Sequence, residues 1–218
     1  VTLIKRRVQR SSLSLLLPNG DRRAIVRVRD GEYGPVPPVD MKKYFALHVD
    51  GHQPAAAQQY AREAKAAGAL TSLDGGSFRP TTNALLPFID VAVVSERFCE
   101  QLELTPAKTL SYLAEKGVRV AAVTLGSKGI IWKEDGGKTK KLPAIKLPKE
   151  AVVDSSGAGD VFHGAYMTSY VERPDATWEE HFTFARAASA LAVQVLGTEV
   201  SIPERKAVDE MVKKNPAE

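Results

Sequence analysis

The segment Asp154-Ser155-Ser156-Gly157-Ala158-Gly159-Asp160-Val161-Phe162-His163-Gly164 combines the residue types that an anion-transfer site needs. It follows Ala151-Val152-Val153, which reads as a strand end. It precedes Val161, Phe162, Ala165, Ser169 and Tyr170, whose spacing is helical. Gly157 and Gly159 allow backbone N–H groups to turn toward one point. A strand, a glycine-rich turn and a helix N-terminus then make an anion site. The first helical N–H groups lack internal partners, and the helix dipole adds partial positive charge. Asp160 falls in the first turn, beside such an anion. A carboxylate there can take the proton of a hydroxyl that attacks phosphorus. The shorter pattern Gly-x-Gly-Asp alone also suits an ordinary loop, with aspartate favoured at a helix start by the dipole.

The longer pattern is more specific. With Asp154, Gly157, Ala158, Gly159, Asp160 and Phe162 in fixed spacing, the segment resembles the signature of the ribokinase (pfkB) family of carbohydrate kinases, Asp-Thr-x-Gly-Ala-Gly-Asp-x-Phe. Ser155 stands where that signature has Thr. The resemblance extends over nearly the whole chain. It implies a three-layer α/β fold, with a mainly parallel sheet covered by helices on both faces and a small β lid. It implies an ATP-dependent kinase that phosphorylates a hydroxyl of a sugar or sugar acid, fructose-like or 2-dehydro-3-deoxygluconate-like. Asp160 is then base and substrate contact. Gly157, Ala158 and Gly159 form the anion hole, and Mg²⁺ bridges the ATP phosphates. Two alternatives stay open: a nucleoside kinase of the same superfamily, and a non-catalytic nucleotide-binding protein.

Four further stretches offer candidates. In Thr124-Leu125-Gly126-Ser127-Lys128-Gly129 the glycines permit close approach of a phosphate or purine, although a turn without function has the same composition. The resemblance makes Thr124 and Gly126 nucleotide contacts, with Lys128 as a phosphate contact. In Ser95-Glu96-Arg97-Phe98 many family members have Asn-x-x-Glu, which orders Mg²⁺. Here Ser95 and Phe98 depart from that pattern, and Glu96 remains to act on Mg²⁺ through water. Ser95 equally suits a helix cap. His48, Asp50 and His52 can share one side of a strand, as zinc ligands would, but Gly51 breaks the strand and no fourth ligand is evident. Resemblance to a ketohexokinase segment makes Asp50 a sugar contact. Arg79 is another candidate, or a surface arginine. The family's monovalent-cation site implies K⁺ held by Asp154, Ser156, the carbonyls of Ala192 and Val195, Gly197 and Ser201. Ser201 with Glu204 also has capping-box spacing for a last helix.

The supporting elements follow from pattern. The 218 residues are 44% apolar, enough for a sizeable core, and hold one cysteine, Cys99. A single cysteine excludes an internal disulfide and suits a reducing, cytoplasmic setting. No stretch approaches a membrane span. Residues 1–29 carry eight of the 30 Lys and Arg but only Asp21 of the 26 acids. No aromatics interleave those charges, so solvated strand faces or attraction of an anionic substrate explain them better than a nucleic-acid arm. Residues 12–17 and 23–29 read as two strands around Asn19-Gly20. Strands at 44–49, 70–73, 90–94 and 118–124 alternate with helices that start at Pro54 and Thr105-Pro106. That order means a parallel sheet. A hairpin follows around Asp135-Gly136-Gly137, and two helices start near Thr177 and Pro203.

The resulting organisation is a partial β lid over 1–34 and a kinase domain over 35–218. The resemblance also implies that a homodimer would form through the lid strands. The family's first strand, its sugar-binding Asp and its Gly-Gly turn find no counterpart in the sequence. The expectation is therefore a fragment of a longer polypeptide, which would bind sugar poorly by itself.

Overall fold

The computed structural model describes residues 13–19, 22–28 and 35–217, with side chains from residue 35 onward. The chain divides into two compact units, Val1–Val39 and Asp40–Glu218. In the first, β1 (Leu13–Asn19) and β2 (Arg22–Val28) pair antiparallel, with Leu13 opposite Val28 and Asn19 opposite Arg22. The expected strands are present. Gly20 and Asp21 of the turn, and the basic residues up to Arg10, lie outside the described residues.

The second unit is built on a six-stranded sheet in sequence order. Strands β3 (Ala46–Val49), β4 (Leu70–Gly75), β5 (Val91–Ser95) and β6 (Val120–Thr124) are parallel. Strands β7 (Ile130–Glu134) and β8 (Lys140–Leu142) continue antiparallel, as the Asp135-Gly136-Gly137 turn predicts. Four helices lie between the parallel strands: α1 (Pro54–Ala66), α2 (Pro80–Leu85), α3 (Glu96–Gln101) and α4 (Pro106–Glu115). After β8 come α5 (Ala158–Glu172), α6 (Trp178–Ala192) and α7 (Arg205–Lys214).

Alternation along the strands sorts side chains to two faces. Leu47, Val49, Leu73, Ala92, Val94, Ala121 and Val123 pack with Ala57, Leu85, Phe98, Leu110 and Leu113 of α1 to α4. On the other face Leu70, Val91, Val93, Val120, Ala122 and Trp132 pack with Phe162, Tyr166, Trp178 and Phe182 of α5 and α6. The result is the expected three-layer α/β fold. Burial on both faces is why β5 and β6 are continuous apolar runs rather than alternating ones. Among the described residues no helix is long and apolar enough to cross a membrane.

Helix starts follow local chemistry. Thr105 accepts the Lys108 N–H at 3.3 Å ahead of Pro106. Thr177 and Glu180 make a reciprocal capping box. Two expectations fail. Ala151-Val152-Val153 is no strand end: residues 149–151 form a 3₁₀ turn, and Val153 and Asp154 donate their N–H groups to the Val193 carbonyl at 2.8 and 3.1 Å. Val152 and Val153 are exposed, so nothing draws them into the sheet. Nor does Ser201 cap the last helix. Glu204 stands at the N-cap of α7, and the buried Ser201 hydroxyl donates instead to the Thr198 carbonyl at 3.0 Å.

Candidate active site

The carboxyl ends of the parallel strands and the N-terminus of α5 meet at one cavity of about 530 Å³. Its walls include His48 and Asp50 from the end of β3, Tyr60 of α1, Asp74 of β4, and Asp160, His163 and Gly164 of α5. The placement agrees with the rule that open α/β sheets bind ligands beyond their strand ends.

The turn before α5 is preorganised. The Asp154 carboxylate accepts the Ser156 N–H at 2.8 Å through one oxygen and the Gly197 N–H at 3.1 Å through the other. It therefore ties the turn to the segment after α6. Gly157 caps the helix at φ 74°, a left-handed conformation that glycine adopts without steric cost. A Cβ there would also lie 3.1 Å from Thr198 Cγ2. The first i→i−4 bond of α5 runs from Val161 N–H to the Gly157 carbonyl at 2.9 Å, so the N–H groups of Ala158 and Gly159 precede the helical ladder. The Ala158 N–H makes only a long 3.4 Å contact to the Ser155 carbonyl. A bare, glycine-bounded helix start of this kind suits a phosphoryl group. Asp160, Gly164 and His163 fall on one side of α5 by their spacing of three and four, and that side faces the cavity.

The structure brings Asp50 and Asp160 to the same cavity. Asp50 is folded into a local turn in which its oxygens accept the His52 backbone N–H at 2.9 Å and meet His52 Nδ1 at 2.8 Å. The peptide and imidazole of His52 together hold the Asp50 carboxyl below its ordinary pKa, against the effect of burial. His52 is thus a partner of Asp50, and His48 turns to Ser72, which accounts for both histidines without zinc.

Thr124 closes β6 and donates its hydroxyl to the Val94 carbonyl at 3.3 Å. Gly126 to Lys128 form a short 3₁₀ turn of exposed residues. Lys128 Nζ lies 3.3 Å from Glu96 Oε1, so the expected phosphate contact and the expected Mg²⁺ residue form an exposed ion pair with each other. Ser95 caps α3, accepting the Phe98 N–H at 3.3 Å, and donates to the Gly76 carbonyl at 3.2 Å. Phe98, where many family members carry a carboxylate, is fully buried and packs edge-on against Phe78 at 5.3 Å. That position belongs to the core. Among the described residues no three His, Cys, Asp or Glu side chains cluster as a metal cage. Glu96 and a bound phosphate suit Mg²⁺, which keeps several waters and needs only one or two carboxylates.

The monovalent-cation set is gathered in part. Asp154, Ser156 and Gly197 are in contact, the Ala192 carbonyl accepts the Val195 N–H at 3.2 Å, and Ser201 is turned to Thr198. Arg79 stands at the N-cap of α2, away from the lining of the cavity.

Sequence reasoning missed three cavity residues. Asp74 sits in what reads as a plain Asp-Gly-Gly loop. His163 directly follows the last residue of the signature, Phe162, and Tyr60 looks like an ordinary helix residue. The signal for Asp74 was available: it ends an apolar strand, at the position where α/β sheets place ligand contacts.

The residues 39–205 match the description "pfkB family carbohydrate kinase". A ribokinase of Arabidopsis thaliana is 36% identical over 163 residues, which are 71% of this chain and 42% of that protein. The solved structure of Arabidopsis ribokinase with ribose and ATP superposes with a TM-score of 0.78 at 28% identity, covering 93% of this chain and 68% of that one. Adenosine kinase 2 of Arabidopsis is 46% identical over 54 residues, 25% of this chain and 15% of its own length. The chain spans less than half the length of the curated ribokinases it matches.

Proposed function

The chain belongs to the pfkB family of carbohydrate kinases, and from that premise we propose that it transfers the γ-phosphoryl group of ATP to a hydroxyl of a sugar. One observation carries the reading. Asp160 stands in the first turn of α5, beside the Gly157 cradle and on the wall of the cavity shared with Asp50. A sugar hydroxyl held in that cavity meets an acceptor for its proton on the side from which it approaches an anion at the helix start.

In the proposed reaction the sugar oxygen attacks the γ-phosphorus in line, and ADP leaves. Asp160 takes the hydroxyl proton, late if the transition state is loose. The N–H groups of Gly157, Ala158 and Gly159 hold the equatorial oxygens where negative charge resides. Thr124 and Gly126 shape the nucleotide side, and Lys128 exchanges Glu96 for a phosphate. Glu96 would hold Mg²⁺ through water, and the ion would supply charge neutralisation on the donor phosphates. K⁺ near Asp154, Ser156, Gly197 and the carbonyls of Ala192 and Val195 would stiffen the turn, with Ser201 as an outer support. Residues 1–34 act as the lid, which is where two copies would pair, and residues 35–218 bind nucleotide and sugar.

The relatives turn the expected sugar from the fructose-like or sugar-acid class toward a ribose-like one, because the ribokinase with bound ribose is 28% identical over nearly the whole chain. The adenosine kinase match over 54 residues supports the second reading, a nucleoside as acceptor. Both are tested by ADP release with ATP and Mg²⁺ against ribose, fructose, 2-dehydro-3-deoxygluconate and adenosine. The proposal expects ribose to give the highest kcat/KM. Adenosine in first place replaces it with the nucleoside reading, and ATP binding without turnover of any of the four contradicts both.

A further inference from the structure

A chain of polar groups, buried at Ser72, Tyr166 and His163, ends at Asp74, a cavity carboxylate outside every motif. Alternation puts Ser72 and Asp74 on one face of β4, and parallel register sets His48 of β3 beside Ser72. The same face meets α5, where His163 and Tyr166 lie three apart. His48 Nδ1 is 2.9 Å from Ser72 Oγ, Ser72 Oγ is 2.6 Å from the Tyr166 hydroxyl, and that hydroxyl is 3.4 Å from His163 Nδ1. His163 Nε2 in turn stands 3.5 Å from Asp74 Oδ1. Ser72, Tyr166 and His163 are buried, with the rings of Phe162, Phe182 and Trp178 against Tyr166.

Buried polar atoms persist only when each finds a partner. Burial raises the Asp74 pKa above its ordinary value, and His163 Nε2 faces that carboxyl. The His163 tautomer with its proton on Nε2, toward Asp74, gives one consistent order, in which its Nδ1 accepts from Tyr166. Tyr166 then accepts from Ser72, and Ser72 accepts from Nδ1–H of His48. Burial lowers the His163 pKa to about 4, which keeps the ring neutral and this order intact near pH 7. Asp74 Oδ1 also accepts the Gly76 N–H at 2.9 Å. Gly75 is required beside it, since a Cβ there would fall 2.4 Å from Val94 Cγ1. Asp74 is therefore fixed from the protein side through Oδ1.

We propose that Asp74 is a substrate-binding residue of this cavity, accepting a hydroxyl of a neutral sugar, and that His163 and Tyr166 are the residues that position it. The inference rests on the sugar-kinase reading above. With Asp50 and Asp160, Asp74 makes three carboxylates on the cavity wall, and no lysine or arginine is among the described residues that line it. Sugar hydroxyls are donors that suit this wall, and a substrate carboxylate is repelled by it. Asp74 thus contributes to choosing neutral sugars over sugar acids.

The experiment measures kcat and KM for ribose and for its acid, ribonate, in wild type, Asp74→Asn, His163→Leu and His163→Gln. Asn keeps the oxygen that accepts the Gly76 N–H, so Asp74→Asn should fold. A hydrogen bond to a charged group is lost, and KM for ribose should rise about 10- to 100-fold with KM for ATP unchanged. The preference for ribose over ribonate should narrow in the same variant. His163→Leu should raise the ribose KM by a smaller factor, and His163→Gln, which keeps a donor, should restore part of it. Nitrogen NMR of the wild type should find His163 protonated on Nε2 and His48 on Nδ1, and ribose should shift the Asp74 carboxyl carbon. An unchanged ribose KM in folded Asp74→Asn, or an unmoved Asp74 carboxyl signal at saturating ribose, overturns the assignment while leaving the kinase reading intact. Absence of turnover on any sugar overturns both.

Discussion

The two faces of the central sheet are covered by helices to a similar extent but do different things. The face under α1 to α4 is largely apolar, with Leu47, Val49, Leu73, Val94, Phe98 and Leu113 meeting there, and the polar side chains buried on that side include the threonines Thr71, Thr82 and Thr109. The face under α5 and α6 is equally apolar across β5 to β7, where Trp132 packs on Phe182 at 5.4 Å. Across β3 and β4 it changes character, to His48, Ser72 and Asp74 facing His163 and Tyr166. On the proposed reading, one sheet stabilises through one face and combines stability with substrate contact on the other. On this face Ser72 and Asp74 stand where a neighbouring helix, α5, brings partners and where the strands open on the cavity. The difference teaches that burial alone does not tell a core position from a site position; the partners of the buried polar atoms do.

If that division is right, substitutions on the two faces should separate activity from stability. The largest effect expected is on turnover. Asp160→Asn should lower sugar-dependent ADP release by ~10²–10⁴-fold, the usual range for a general base, as steady-state assays would show. Phe98→Ala, on the apolar face, should destabilise by roughly 3–5 kcal/mol through transfer loss and the cavity left behind. Urea unfolding checks this, and the sugar KM of the folded fraction should stay within about twofold of wild type, since no polar contact is lost.

The polar face should show itself in pH dependence. His163 has its pKa lowered by burial to about 4 in the folded protein. The unfolded chain, with a histidine near 6.5, binds more protons between these values, so stability rises with pH across the window from about 4 to 6.5. On acidification the protein should lose up to about 3 kcal/mol from this group, and His163→Gln should flatten the slope of unfolding free energy against pH. An equally steep slope in the variant would remove His163 from the account. The smallest effect sharpens the cradle. Gly157→Ala should cost about 1–2 kcal/mol, because its φ of 74° is unfavourable for a residue with a Cβ. The same change crowds Thr198 and should weaken ATP binding as well, which isothermal titration would register.

Much of this was legible in the sequence. Alternating strands and helices pointed to the parallel sheet, and the Asp154 to Gly164 segment to a glycine-bounded helix start with Asp160 in its first turn. Asp50 was reached only through resemblance to known sugar kinases. The failures share a cause. Val152 and Val153 look like a strand, but backbone bonding to Val193 fixes them outside the sheet, and periodicity carries no information on that partner. Ser201 has the right spacing for a cap, yet the preceding turn captures its hydroxyl. Phe98 departs from a metal-binding pattern because the core claims it. Asp74 and His163 went unread because their meaning lies in contacts 89 residues apart in the chain, which no local motif encodes.

The most direct measurement takes three quantities together on Asp160→Asn and wild type: sugar-dependent ADP release, ATP affinity and the unfolding midpoint. The account predicts release lowered by ~10²–10⁴-fold, with ATP affinity and unfolding unchanged, because Asp160 lies on the cavity wall rather than in either core. Near-normal release from the folded variant would contradict it, and so would a loss of release matched by an equal loss of ATP binding or stability.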